Sequence, residues 1–84
     1  MEQDVVYTAH ALTAMRERGV PKEWVERTVE QPDWIEPDPR DPDAMRHFRA
    51  IAEADGRYLR VVLVQTDQNI RIVTAFLDRG ARPK

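Results

Sequence analysis

Three prolines within six residues, Pro37, Pro39 and Pro42, divide this 84-residue chain into two unlike parts. Each proline fixes φ and lacks an N–H, so the stretch supports neither a helix nor a central strand. With Asp38, Arg40, Asp41 and Asp43 interleaved, residues 36–43 read as a stiff, polar loop. Upstream of the loop the pattern is helical. Thr8 is placed to cap a helix over residues 9–18, and Gly19 stands where a left-handed C-cap residue belongs. Ala11, Leu12 and Met15 share one face, while Arg16 and Arg18 sit in the last turn, where the dipole favours cations. A second helix opens with Pro21 in its first turn, carries Glu23 and Glu26 early, packs through Val25 and Val29, and ends at Pro32. The short link between the two predicts a helical hairpin over residues 8–31.

Downstream of the loop the pattern is β. Asp33-Trp34-Ile35, just before it, reads as a short extended piece with an aromatic anchor. A strand over 45–52 leads to Asp55-Gly56, the strongest hairpin signal in the chain. Residues 57–65 form the clearest strand, and a looser turn at 66–69 leads to a last strand over 70–77. A basic tail, 79–84, is expected to fray. The order predicts one α+β domain over residues 1–84: two N-terminal helices packed on one face of a four-stranded antiparallel sheet. The other face is left for solvent or a partner. Leu12, Met15, Val25, Val29, Leu59, Val61, Leu63, Ile72 and Phe76 are the expected core.

Composition excludes several classes. With 42% hydrophobic and 33% charged residues the chain is neither disordered nor membrane-embedded, and no apolar run approaches the roughly 20 residues that span a bilayer. The acidic start, Met1-Glu2-Gln3-Asp4, lacks a basic-then-apolar secretion pattern. There is no cysteine, hence no disulfide and no thiolate metal site. A cytoplasmic protein is expected. His10 and His47 are the only histidines, and with scattered carboxylates they show no metal-ligand spacing, so no metal or cofactor is expected. The net charge of −2 hides an asymmetry. Residues 1–42 carry ten acids and five bases, whereas residues 43–84 carry five acids and eight bases, seven of them arginine. Guanidinium groups suit planar work on phosphate or carboxylate; solvated strand positions paired with acids are the plainer explanation.

The run His10-Ala11-Leu12-Thr13-Ala14-Met15-Arg16-Glu17-Arg18-Gly19-Val20 resembles a bacterial family, the domain of unknown function numbered forty-two fifty-eight. Trp24-Val25, Pro32-Asp33-Trp34, Arg46-His47-Phe48-Arg49, Arg57-Tyr58-Leu59-Arg60-Val61-Val62 and Val73-Thr74-Ala75-Phe76 with Asp78-Arg79 follow in the family's order. The resemblance covers nearly the whole chain. It implies a fold akin to the RelE and BrnT toxins, whose open sheet face cuts RNA, with a cognate antitoxin protein encoded nearby as partner. In one place the chain departs from the pattern. Many members have an arginine four residues after the histidine, where this chain has Ala14.

Individual residues follow from pattern and resemblance together. His10 lies about 130° around its helix from the Ala11/Leu12/Met15 face, at a rim or in solvent. An imidazole there suits general acid–base attack by a 2′-hydroxyl, or simply caps a helix start. Arg46, Arg49 and Arg60 could hold a scissile phosphate. Arg46 and Arg49 have opposite parity, so one of them is structural unless a bulge intervenes. His10, Arg49 and Arg60 are the expected catalytic set, meeting at the rim where the first helix joins the sheet. Arg46, Arg18 and Thr74 are expected to bind substrate, although Thr74 shares parity with Ile70, Ile72 and Phe76 and could be buried. Trp24 and Trp34 read as core or interface anchors, and Asp78-Arg79 as a local ion pair.

Two functions compete. One is a toxin-like, metal-independent endoribonuclease acting on RNA. The other is a non-catalytic interaction or regulatory module from a mobile element, binding a protein through its sheet face or edge. A pI near 5.6 and the missing arginine count against the first, because RNA affinity draws on cation–phosphate contacts. The arginines separate the two: convergence with His10 favours an enzyme, and pairing of each with an acid favours a module.

Overall fold

The structure, a computed structural model, describes residues 4–83. The elements run β1 (Asp4–Tyr7), α1 (Ala9–Arg18), α2 (Lys22–Glu30), β2 (Trp34–Pro37), β3 (Ala44–Ile51), β4 (Arg57–Gln65) and β5 (Asn69–Leu77). They build one five-stranded mixed sheet, in the order β1-β5-β4-β3-β2, with both helices on one face.

The four-stranded antiparallel expectation is therefore corrected at one edge. β2 to β5 form the antiparallel part, and β1 adds a fifth strand parallel to β5, pairing Asp4–Tyr7 with Asn69–Ile72. Four residues beside an acidic start give too short a pattern to announce a strand. Parallel pairing also joins the two ends of the chain, which no local signal reports. The junction is pinned where Thr8 N–H donates to the Ile72 carbonyl at 3.1 Å and the Thr8 hydroxyl to the Val73 carbonyl at 3.2 Å.

α1 begins and ends as its sequence dictates. The Thr8 hydroxyl also accepts from Ala11 N–H, at 3.0 Å, and so caps α1. Gly19, at φ 66°, closes the helix in the left-handed conformation, while Val20 N–H returns to the Met15 carbonyl at 2.8 Å. Pro21 is the N-cap of α2 rather than a first-turn residue. The β3–β4 connection is longer than a two-residue turn. A 3-10 turn over Ala52–Ala54 precedes Asp55 and Gly56, both at positive φ (58° and 77°).

Alternation then sorts the sheet into two faces. Leu59, Val61 and Leu63 of β4 join Ile51, Ile72 and Ala75 beneath Ala11, Met15, Val20 and Val25, all buried. A register shift between Val62 and Leu63, opposite Val73, lets Ile72 and Ala75 both face inward although three residues separate them. Leu12 is the exception among the expected core residues. It is 42% exposed, while Ala14 is buried in its place. The inward stripe of α1 is Ala11, Ala14 and Met15, whose small side chains allow a close approach to β5 and leave Leu12 about 100° off the contact line. Val29 and Phe76 are half-buried rather than fully enclosed. Within the expected basic tail, Ala81 is buried and its N–H donates to the Asp78 carbonyl at 3.3 Å, while Lys84 lies outside the described residues.

Candidate functional site

The helix-free face of the sheet carries the polar cluster. Cross-strand partners share a face, so the registers Trp34↔Phe48↔Arg60↔Phe76 and Glu36↔Arg46↔Val62↔Thr74 lay two rows across it. Trp34 stacks on Phe48 with ring centroids 4.6 Å apart and meets Tyr58 edge-on at 5.0 Å. The Arg60 guanidinium lies 4.9 Å from the Phe76 ring and 5.7 Å from the Phe48 ring, between the two. Its Nη2 donates to Asp78 Oδ2. Asp78 is itself fixed at the end of β5, where its N–H donates to the Tyr58 carbonyl at 2.9 Å.

Arg46 occupies the second row. Its Nε donates to Asp38 Oδ2 at 3.3 Å, so the proline-rich loop closes down on the strand. Asp38 also accepts from the backbone N–H groups of Arg40 (2.8 Å) and Asp41 (3.1 Å). The Arg40 amide first, then Arg46 and the Asp41 amide, hold its carboxyl below the usual carboxylate range. Between Arg46 and Arg60 lies a recess of about 400 Å³, floored by Val62, Val73, Thr74 and Phe76. Thr74 therefore lines this recess instead of filling the core. Arg18, at the end of α1, reaches around the sheet edge to within 5.4 Å of the Phe76 ring centroid.

The expected catalytic trio does not assemble. Arg49 pairs in register with Leu59, on the helix side, and Arg60 with Phe48, on the open side. The sheet itself stands between them. The Arg49 Nη1 donates to the Gln31 carbonyl at 2.6 Å and lies 3.9 Å from Asp33 Oδ1, tying down the end of α2. Of the two arginines of opposite parity it is Arg49 that has the structural placement, and Arg46 that shares a face with Arg60. β3 contains no bulge that would bring the two together. His10 is exposed on α1 and makes no hydrogen bond or ion pair among the described residues. Sequence reasoning passed over Asp38 and gave Asp78 only a local partner; both acids sit beside loop or turn residues, far in sequence from the arginines they meet.

His47 points to the helix side, opposite Val61. Burial lowers its pKa below the ordinary histidine value, against the opposing pull of the Thr28 and Val29 carbonyls.

A model of one family, described as Domain of unknown function (DUF4258), matches residues 7–77. The chain belongs to the DUF4258 family. The match spans all of both helices and β2 to β5, and within it lie Arg46, Arg60, Thr74 and Phe76 of the open face. No curated protein and no solved structure matches the chain. In this DUF4258 domain Ala14 lies within the buried stripe of α1.

Proposed function

We propose that this DUF4258 domain is a non-catalytic interaction module that docks a partner protein on its open sheet face. The observation that supports this reading is that Arg46 and Arg60, the arginines of the two rows across the face, are already engaged, Arg46 by Asp38 and Arg60 by Asp78. A phosphodiester would have to displace a carboxylate from each. The walls of the two recesses on this face hold four arginines and four carboxylates, so they present no net field to attract a polyanion. Aromatic rings and arginines around a small apolar floor are what the centre of a protein interface uses. The first candidate partner is the product of an adjacent gene, in the manner of an antitoxin.

Expression in bacteria, with and without that neighbour, tests the reading. The chain alone should leave growth unchanged. Addition of the neighbour's product should shift amide resonances of β3 to β5 and not those of α2, and Thr74→Arg should abolish the effect. Growth arrest relieved by the neighbour would overturn it.

A metal-independent ribonuclease is the second reading, and the exposed His10 side chain, which has no partner among the described residues, is what favours it. It requires the purified chain to cut RNA in the presence of a chelator. His10→Ala should then lose on the order of 10² in rate.

A further inference from the structure

A second recess, of about 300 Å³, lies between the aromatic shelf and the segment that follows β5. Trp34, Phe48, Arg60, Asp78, Ala81 and Arg82 contribute to its wall. The segment is folded back by Asp78, whose Oδ1 accepts from Gly80 N–H at 2.8 Å and whose carbonyl accepts from Ala81 N–H. Two side-chain donors of residues in this wall, Trp34 Nε1–H and Arg60 Nε–H, are closed off from water and have no acceptor among the described residues. Three other buried polar atoms share that condition, on Tyr7, His47 and Arg49, but they belong to the helix side of the sheet. A buried donor without an acceptor is costly, and two around one recess mark a place for an acceptor.

We propose that this recess recognises a main-chain carbonyl of an extended peptide segment from the partner, with Trp34 Nε1–H and Arg60 Nε–H as donors. The inference rests on the protein-docking reading above and specifies its chemistry. A neutral acceptor is favoured over an anion, because Asp78 already neutralises Arg60 and Arg82 Nη1 is bound to the Ala81 carbonyl. Asp78 and Glu36 stand against Arg60 and Arg82 in the wall, so the recess carries no net charge to draw in a phosphate or a free carboxylate. The Trp34–Phe48 stack offers an extended backbone a flat apolar wall. Both donors are covered, so binding requires the wall of the recess to rearrange around them.

Both N–H groups give their own cross-peaks in ¹⁵N–¹H spectra, which supplies a direct test on the full chain. The probe is acetyl-tetra-alanine amide, titrated beside equal concentrations of acetate and of inorganic phosphate. The blocked peptide should shift both cross-peaks together and saturably, while the two anions leave them in place. Arg60→Lys keeps the charge and removes the Nε–H; it should weaken the Trp34 response roughly tenfold, as should Trp34→Phe the Arg60 response. Unmoved cross-peaks in the peptide arm, or larger shifts with phosphate or acetate, would overturn the inference. If they stay unmoved while the neighbour's product still binds the open face, the inference falls and the docking reading stands. Growth arrest relieved by the neighbour removes both.

Discussion

The two faces of the sheet use the same residue type for opposite ends. On the helix side Arg49 gives its guanidinium to the Gln31 backbone carbonyl at the end of α2, with Asp33 Oδ1 3.9 Å away. On the open side Arg46 and Arg60 meet carboxylates from a loop and a strand end, above an apolar floor that nothing in the fold covers. Three residues along β3 separate Arg46 from Arg49, yet one lies under a helix and the other faces outward. A strand's two-residue period decides this, and no property of arginine does.

The sharpest way to break the contrast is to remove apolar volume from each face in turn. Leu63 is 1% exposed inside the helix-side core, so Leu63→Ala should cost about 2–5 kcal/mol. Its neighbour Val64 faces the other way and is half-buried, and Val64→Ala should cost less than about 1 kcal/mol. Chemical denaturation of the two variants measures both. Similar midpoints would mean that the open face is as much a core as the covered one.

Much of this division was legible in the sequence. The helical hairpin, the proline loop and three long strands carry strong local signals: Thr8 and Gly19 as caps, Pro37 to Pro42 as breakers, and alternation through Leu59, Val61 and Leu63. Parity alone separated Arg46 from Arg49. What it could not reveal was which of the two lay under the helices, because that depends on α2 ending beside β3. β1 escaped because its evidence is a pairing between residues 65 apart in sequence. Asp38 and Asp78 escaped for a related reason: a carboxylate in a loop looks solvated until the fold brings an arginine to it. Leu12 misled because helix amphipathicity was weighed by hydrophobicity, whereas close contact with β5 selected the smaller Ala11 and Ala14.

Arginine truncation sharpens the comparison at a smaller scale. Arg49→Ala removes a charged donor from the Gln31 carbonyl and loosens α2, which should cost about 1–3 kcal/mol. Partner binding at the open face should survive. Arg46→Ala reverses the pattern, with a stability loss below about 1 kcal/mol and weakened docking. Thermal melts together with the binding assay tell these outcomes apart, and equal losses in both would remove the distinction between the faces.

The covered face should also respond to acid through His47. Burial depresses its folded-state pKa below that of the unfolded chain, so the unfolded state takes up a proton first as pH falls. Stability is therefore fully present above pH about 6.5 and declines as the pH drops toward the folded pKa. Denaturant midpoints measured between pH 7.5 and 5 should fall in the parent and stay flatter in His47→Gln. A parent midpoint that rises over that range would contradict the buried placement of the ring.

The smallest effect belongs to the one arginine–carboxylate pair that joins a helix to the β3–β4 connection at the surface. Arg27 Nη1 and Nη2 donate to Glu53 Oε1 and Oε2, both at 2.9 Å, in a bidentate fork. Those bonds bring the Glu53 carboxyl down to about 2. The sign is opposite in origin to that of His47 but alike in direction. An unfolded glutamate binds its proton near pH 4.3, whereas the folded one resists until much lower pH, so any contribution is present above that value and lost as pH falls toward 2. Both groups face solvent, and screening leaves an exposed pair little to contribute. Glu53→Gln should thus barely move the melting temperature at pH 7, and 1 M salt should erase what difference there is. The chemical shift of the Glu53 carboxyl carbon, followed from pH 6 to 2, should still show late protonation in the parent and a normal value in Arg27→Ala. A normal titration in the parent would mean that the fork does not persist in solution, and that the β3–β4 connection is held to α2 by packing alone.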